Sequence, residues 1–243
     1  MRLSTSALDR LFSTKNLILF IVFSALCVIC LAFSSDFGTA LIFFVTFLVI
    51  SFMRSGSIAT VALAITGAGM AGFLMLKMKD HVARRFATWG HIWDAENIWD
   101  GGYQQTHALS AGASGGLFGK GAGNGWLKNT FAGNTDTVFG VMCEELGLIG
   151  ACVIMIIFAL LILRGFWIAL HARDRFGALL AVGVMTHLAL QTFLNIAVVS
   201  GFVPTTGISL PFFSYGGTAL CLQLVEMGIV LSVSRQIPAA RAG

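Results

Sequence analysis

Long runs of apolar residues, separated by short polar stretches, dominate this chain of 243 residues. A helix needs about 20 apolar residues to cross a bilayer core of roughly 30 Å. Six runs are long enough, so the pattern predicts an all-α integral membrane protein with about six transmembrane helices. The runs are residues 17–33, 37–53, 58–76, 138–163, 176–199 and 212–233.

The composition supports this prediction. Apolar residues make up 57% of the chain and charged residues 11%, whereas a soluble domain has about 25% charged residues. The net charge of +4 is too small to indicate a nucleic-acid partner. The five cysteines lie in apolar stretches without the paired spacing of a zinc site, and Cys27 and Cys30 are interpreted as apolar helix residues rather than a redox pair.

The cations in the short connections predict the orientation, because cytoplasmic loops are enriched in Lys and Arg. They precede the first run, follow the last, and lie between runs two and three and between runs four and five, so both termini are expected to be cytoplasmic. Residues 77–137 then form one long extracytoplasmic loop between helices three and four, and residues 200–211 a shorter outer turn. The long loop carries six cations against the rule, for which an anionic ligand is one explanation.

The long segment contains a predicted short helix and a glycine-rich stretch. Residues 107–117 are mostly small and apolar, and the helix is expected to end at Gly115–Gly116, where glycine can adopt positive φ. In residues 116–124, closely spaced glycines expose backbone N–H groups beside Lys120. That arrangement suits a phosphate or pyrophosphate, and a flexible turn is the equally weighted alternative.

The start of the fourth long helix carries acidic residues. Asn134 or Thr135 can cap it, which would place Asp136 in the first turn, where helix capping is an alternative role. Successive residues of a helix are rotated by 100°, which places two acidic residues and two glycines on one face, with Glu145 beside it. These are Asp136, Gly140, Glu144 and Gly147. Carboxylates at membrane depth normally face a cavity or a partner, so this face is the predicted site.

Two further polar features lie near the outer side. Residues 203–217 contain two prolines and three glycines, which predicts non-helical, re-entrant backbone that must line protein or water. His187, Gln191 and Asn195 recur every four residues on the fifth helix. This stripe indicates hydrogen bonding between helices more than a site.

Five stretches, read in order, resemble the SEDS (shape, elongation, division and sporulation) family of the RodA, FtsW and SpoVE type. They are residues 36–40, 102–104, 114–121, 135–147 and 204–217, and the last reads P-T-T-G-I-S-L-P-F-F-S-Y-G-G. The resemblance covers nearly the whole chain. Residues 1–243 are expected to form a single membrane domain, with helices one to three in 17–76 and four to six in 138–233. It lacks the family's first four helices and an early Glu- and Lys-bearing stretch, and His107 and Thr137 replace a usual Ser and a usual aromatic residue.

The resemblance implies a peptidoglycan glycosyltransferase of the bacterial inner (plasma) membrane that polymerises lipid II and releases undecaprenyl pyrophosphate, in elongation, division or sporulation. It implies Asp136 as the catalytic base, a class B penicillin-binding protein as partner and a divalent cation, Mg²⁺ or Mn²⁺, as an optional cofactor. Lys120 is the first candidate for the cation that contacts the leaving pyrophosphate. Weaker candidates for this role are Arg84, Arg85 and Lys128. Residues assigned to substrate binding are Lys120, Gln104, Ser114, Gly116, Gly119, Glu144, Glu145, Thr205, Thr206 and Ser214.

Two alternatives stay open from the sequence. One is a flippase or transporter for lipid-linked precursors, since polar helix faces and a broken turn also suit a translocation path. The other is a catalytically incomplete scaffold for a penicillin-binding protein. The chain is expected to be part of a longer protein or to work with a separately supplied half.

Overall fold

The computed structural model describes residues 37–55, 62, 65, 66, 69, 80–130 and 133–237. Every regular element within these residues is helical, which confirms the predicted all-α class. The elements are α1 (Phe37–Ser55), α2 (Asp80–Thr88), α3 (Tyr103–Gly115), a 3-10 helix (Leu127–Asn129), α4 (Val138–Leu170), α5 (Arg175–Val199) and α6 (Gly217–Arg235).

Three of these helices, α4, α5 and α6, are long and apolar enough to cross a membrane, judged by length and composition among the described residues. α1 adds a shorter apolar helix over Gly38–Arg54. Four predicted runs therefore coincide with helices. The run 17–33 lies outside the described residues, and the run 58–76 is described only at residues 62, 65, 66 and 69, which are helical.

The last helix begins later than predicted. Residues 212–216 are turns, and α6 starts at Gly217. Phe212 has a left-handed φ of 64°, which a helix cannot contain, and its N–H donates to Oε1 of the buried Gln223 at 2.8 Å. That bond holds the chain in a turn, so the non-helical backbone predicted for residues 203–217 is confirmed over 203–216. Its re-entrant placement in the membrane stays a prediction.

α4 is two helices joined at a break. Gly147 has φ 69° and ψ −175°, which separates residues 138–146 from 148–170. The second part has enough residues to rise about 34 Å at 1.5 Å per residue, the thickness of a bilayer core. Its outer surface carries exposed aliphatic side chains such as Ile156, Leu160 and Leu163, whereas the first part is mostly buried. The break therefore separates a protein-packed segment from a lipid-facing one.

Three apolar clusters hold the helices together. One joins α3, the 3-10 helix and the first part of α4 around Ala108, Leu127 and Val141. The second joins the end of α4 to α5 and α6, with Met185 at its centre. The third packs α1 and α5 against the turn after α5, through a small group that includes Ile208.

The polar stripe of α5 bonds to neighbouring segments, as predicted. His187 Nδ1 lies 2.9 Å from Oε1 of Glu226 on α6, and Gln191 Nε2 donates to Ser209 Oγ at 3.3 Å. Asn195 Nδ2 donates at 2.7 Å to the backbone oxygens of both Asp136 and Ile208. The stripe therefore fixes α5 to α6, to the start of α4 and to the turn after α5.

Gly147→Ala is expected to destabilise the protein by about 3 kcal/mol, because a left-handed φ and an overlap with the amide nitrogen of Gly119 both penalise a Cβ there. The matched control is Gly228→Ala on α6, where no described atom lies within 4 Å of the new Cβ. This control should be neutral or slightly stabilising. Unfolding in detergent measures both, and equal effects would contradict the interpretation of the break.

Candidate functional site

The glycine-rich loop inserts into the break of α4. In an unbroken helix, the carbonyls of Glu144 and Glu145 would accept from N–H groups four residues later. At the break they accept instead from the backbone N–H groups of Lys120 and Gly121, both at 3.0 Å. The loop thus replaces the missing helical donors.

The exchange is reciprocal. The N–H groups of Leu148 and Ile149, released by the break, donate to the carbonyls of Gly116 (2.9 Å) and Leu117 (3.2 Å). The two backbones approach so closely that a Cβ at Gly119 would overlap a carbonyl oxygen of α4. Gly116 has φ 58° and Gly119 has φ 78°, so the loop needs glycine for conformation as well as for space.

Glu144 fastens the loop from inside. Its side chain is fully buried, and Oε1 lies 2.8 Å from Nζ of Lys120. Oε2 accepts from the N–H of Leu127 at 3.1 Å. An unpaired buried carboxylate would be costly, so the lysine and the loop amide together account for its position.

Glu145 fastens the outer part of the same loop. Oε2 accepts from the N–H of Gly123 at 2.9 Å, and Oε1 from the N–H of Gly125 at 3.3 Å. Oε1 also lies 3.1 Å from Nζ of Lys128. We call this arrangement, residues 116–128 held by Glu144 and Glu145, the carboxylate clamp.

In the clamp, the glycine-rich loop uses for internal bonds groups that were predicted from the sequence to bind a pyrophosphate. Three of the N–H groups expected to face a pyrophosphate, those of Lys120, Gly121 and Gly123, are bonded to α4, and the Lys120 ammonium is bonded to Glu144. The loop is not an unattached turn either, because its backbone and lysines bond to α4. Helix α3 ends at the predicted Gly115–Gly116, directly before the clamp. α3 begins earlier than predicted, at Tyr103.

Asp136 lies just outside α4. The helix begins at Val138 with Thr137 at its N-cap position and no side-chain capping bond, so the prediction that Asp136 lies in the first turn, capped by Asn134 or Thr135, was wrong. The reason is that the backbone carbonyls of residues 134–136 bond elsewhere, to Tyr215 N–H, Ser214 Oγ and Asn195 Nδ2, at 2.6–2.8 Å. The break likewise removes Gly147 from the predicted shared face.

The half-buried Asp136 faces the turn after α5. Gly207 in that turn has φ 74°, and a Cβ there would lie 3.7 Å from Asp136 Oδ2. Two residues earlier, the carbonyl of Thr205 accepts from the exposed Arg85 guanidinium at 3.3 Å. The same short turn is therefore bordered by the carboxylate and by a cation of α2.

Buried polar atoms without partners lie around this turn. Thr206 Oγ1, Asn195 Oδ1 and Gln191 Oε1 have no hydrogen-bond partner among the described residues, and Thr206 and Asn195 are 5% and 1% exposed. Buried polar groups are nearly always bonded. These atoms can therefore bind a hydroxyl group or water beside Asp136.

An open depression of about 640 Å³ adjoins the segment that carries Asp136. Ser214 lies on its wall but is already bonded, accepting from the N–H of Leu210 and donating to the carbonyl of Thr135. The lining residues are Asn134, Val138, Phe213, Ser214, Tyr215, Gly216, Gly217 and Leu220.

The remaining predicted residues lie on α3. Gln104 is half-buried, and Ser114 Oγ donates to the carbonyl of Ala111 at 2.6 Å. The prediction missed Gln105, which is 2% exposed and donates from Nε2 to the carbonyls of Val198 (2.9 Å) and Val203 (2.8 Å). The sequence did contain a signal for this burial, because Gln105 lies three residues before Ala108 and therefore on the same face of the helix.

Apart from Gln104 and Ser114 on α3, the predicted site residues fall into two groups. Thr205, Thr206 and Ser214 lie around Asp136, joined by Arg85. Lys120, Gly116, Gly119, Glu144 and Glu145 build the clamp. Among the described residues, no group of three or more His, Cys, Asp or Glu side chains could hold a metal ion. The expected divalent cation stays a prediction.

Comparison with known proteins identifies the group to which this arrangement belongs. A family model described as a cell cycle protein of the FtsW, RodA and SpoVE type matches residues 4–238. The chain belongs to the FtsW/RodA/SpoVE family. Its segments with Asp136, the clamp and the turn after α5 all lie within the matched range.

Three relatives in this family show the extent of the likeness. Stage V sporulation protein E of Bacillus subtilis is 38% identical over 88% of this chain and 58% of its own. The probable peptidoglycan glycosyltransferase FtsW of Geobacter sulfurreducens is 41% identical over 69% and 45%. The peptidoglycan glycosyltransferase RodA of Mycobacterium leprae is 34% identical over 84% and 43%. The chain thus spans about half the length of these relatives.

A solved structure shares the fold of this chain. It is described as "Structural coordination of polymerization and crosslinking by a peptidoglycan synthase complex", with a TM-score of 0.66 and 24% identity. The match covers 86% of this chain and 59% of that one. Together with the apolar helices, family membership makes this a multi-pass membrane protein.

Glu144→Ala is expected to lower the free energy of unfolding by about 3 kcal/mol, because it leaves Lys120 and a buried loop amide without their partner. Glu145→Ala, at a more exposed ion pair, should cost about 1 kcal/mol. Denaturant unfolding in detergent would measure both. Equal losses would show that the buried pair does not anchor the loop.

Proposed function

We propose that this chain carries the catalytic site of a peptidoglycan glycosyltransferase that polymerises lipid II at the outer face of the bacterial inner membrane. The proposal depends chiefly on the position of Asp136. Its backbone is fixed by Asn195, while its carboxylate lies against the turn after α5, beside unpartnered buried polar atoms and an open depression. Relatives named as peptidoglycan glycosyltransferases support the reaction class.

In the proposed reaction, an acceptor sugar hydroxyl attacks the anomeric carbon of the lipid-linked donor. The new bond forms between that oxygen and carbon, and the bond from the carbon to the pyrophosphate oxygen breaks with its electron pair leaving on undecaprenyl pyrophosphate. The hydroxyl proton passes to Asp136, the general base. The buried Thr206 Oγ1 and Asn195 Oδ1 are suited to orient the incoming hydroxyl.

Arg85 is the cation that best suits the leaving pyrophosphate. One of its N–H groups donates to the carbonyl of Thr205, and a guanidinium has five donors, so others can contact phosphate oxygens. Lys120 was the first choice from sequence, but its ammonium is used by Glu144. The proposed steps use no divalent cation.

The remaining parts of the proposal concern topology and partners. We place Asp136 and the clamp on the outer side and both termini in the cytoplasm, because the cations of the short connections favour that orientation. A class B penicillin-binding protein is the proposed partner. The solved relative concerns polymerisation together with crosslinking, and crosslinking is the chemistry of a transpeptidase.

Transport of a lipid-linked precursor is the second candidate function. The His187–Glu226 pair favours it, since both residues lie near the middle of apolar helices, and ionisable pairs at that depth often mark transport paths. The polar groups around Asp136 instead gather at the helix ends, which favours chemistry at the membrane surface.

Asp136→Asn should lower the rate of glycan polymerisation from purified lipid II by about 10²- to 10⁴-fold, the usual contribution of a general base. Asp80→Asn, the same change at an exposed residue with no assigned role, is the control and should keep full activity. Full-length protein with its transpeptidase partner is the appropriate sample. Unchanged polymerisation by Asp136→Asn would contradict the base assignment, and lipid II translocation without polymerisation by the native protein would favour the transporter.

Arg85→Gln should lower kcat by about 10- to 100-fold, because one cation near a developing negative charge contributes a few kcal/mol. Arg85→Lys should recover part of the loss, since it keeps the charge. The adjacent Arg84→Gln is the matched control in the same helix. If the Arg84 and Arg85 variants lose activity equally, the effect would come from the positive charge of α2 as a whole, and the proposed specific contact of Arg85 would be contradicted.

A further inference from the structure

Four aromatic rings meet at the surface where α3 begins. Tyr103 and His107, one turn apart on α3, have ring centroids 3.9 Å apart. Trp99 lies 5.8 Å from His107, edge to face, and 6.4 Å from Tyr103. Trp126 also lies edge to face with His107, with ring centroids 5.8 Å apart. We call these four residues the aromatic ridge.

The ridge is exposed, which distinguishes it from a core cluster. Trp99 is 76% exposed and Trp126 is 39% exposed. Packing against His107 does not hide either tryptophan, so burial of these rings does not explain their placement. Large exposed aromatic groups gathered in one patch usually mark a binding surface.

The rings are also held in place. His107 Nδ1 donates to the carbonyl of Tyr103 at 2.8 Å, which fixes the imidazole between the two tryptophans. Trp126 directly precedes Leu127, whose amide is bonded to the buried Glu144 of the clamp. A rigid surface loses little conformational entropy when it binds a ligand.

The charges around the ridge favour a neutral polar ligand over a lipid headgroup layer. Asp94, Glu96 and Asp100 are exposed in the segment that carries Trp99. Acidic side chains are repelled by an anionic membrane surface. They can, however, accept hydrogen bonds from hydroxyl groups.

A pyranose ring matches both features. Its axial C–H groups form an apolar face with partial positive charge, which is attracted to the negative face of an aromatic ring. Its equatorial hydroxyl and acetamido groups remain free for polar contacts, such as those of Gln104, which is half-buried one residue from Tyr103.

We propose that the aromatic ridge formed by Trp99, Tyr103, His107 and Trp126 is a saccharide-binding surface for the polymeric glycan strand, separate from the reacting groups around Asp136. This inference rests on the proposed glycosyltransferase function, which supplies a glycan product. The ridge would hold the strand while further units are added.

The test measures binding of soluble, peptide-free glycan strands of N-acetylglucosamine and N-acetylmuramic acid to the full-length protein in nanodiscs. The lactoyl carboxylates of the strands are converted to amides, so that the ligand is neutral. Trp99→Ala should weaken binding by about three- to tenfold, the range expected for one aromatic contact. Trp99→Phe should bind within about twofold of the native protein. The matched control, Trp93→Ala, changes a tryptophan that is 57% exposed in the same segment and should leave binding unchanged.

Three outcomes would overturn the inference. They are absence of strand binding to the native protein, equal affinities for Trp99→Ala and Trp93→Ala at unchanged melting temperature, and quenching of Trp99 emission by brominated lipids. The last would identify the ridge as a membrane anchor. Because binding is measured without turnover, loss of strand binding with normal polymerisation refutes only the ridge, whereas strand binding without polymerisation refutes only the proposed function.

Discussion

The structure depends on the exchange of backbone hydrogen bonds where the glycine-rich loop enters the break in α4. A helix interrupted at Gly147 must satisfy four backbone groups, and the loop supplies two donors and two acceptors for them. Gly119 and Gly147 must be glycine, because a Cβ at either position would lie 2.2–2.3 Å from a backbone atom across the break. Glu144 and Glu145 then bind the loop by its amides and lysines, which makes the loop as well ordered as the helix it joins.

From the sequence, one set of residues was expected to form the loop and to bind the substrate. In the structure, the residues that hold the loop and the residues around Asp136 are two different sets. The clamp uses its charges internally, pairing Glu144 with Lys120 and Glu145 with Lys128. The groups around Asp136 keep polar atoms unpaired and lie beside an open depression. We therefore propose that the clamp is a structural support and that the chemistry takes place at the short segment between α4 and the turn after α5.

The helices α1, α4, α5 and α6 could be predicted because long apolar runs are typical of membrane helices. The end of α3 could be predicted because glycine, which readily adopts positive φ, often ends a helix, as Gly116 does here. The break at Gly147 could not, since a glycine in a long apolar helix is common and only the loop reveals its φ. Lys120 was predicted to bind a phosphate group, because the sequence does not show which cation pairs with the buried Glu144. The position of Asp136 was missed by two residues because its carbonyl bonds to Asn195, a contact between distant segments.

Hydrogen–deuterium exchange at single-residue resolution tests the loop exchange most directly, because amides bonded inside a stable unit exchange only when that unit opens. The amides of Lys120, Gly121 and Leu127 should exchange as slowly as those in the middle of α5. Ala122, whose amide has no acceptor among the described residues, should exchange quickly. If all four amides exchange at the rate of an open surface loop, the loop does not occupy the break in α4, and the separation of support from chemistry would be contradicted.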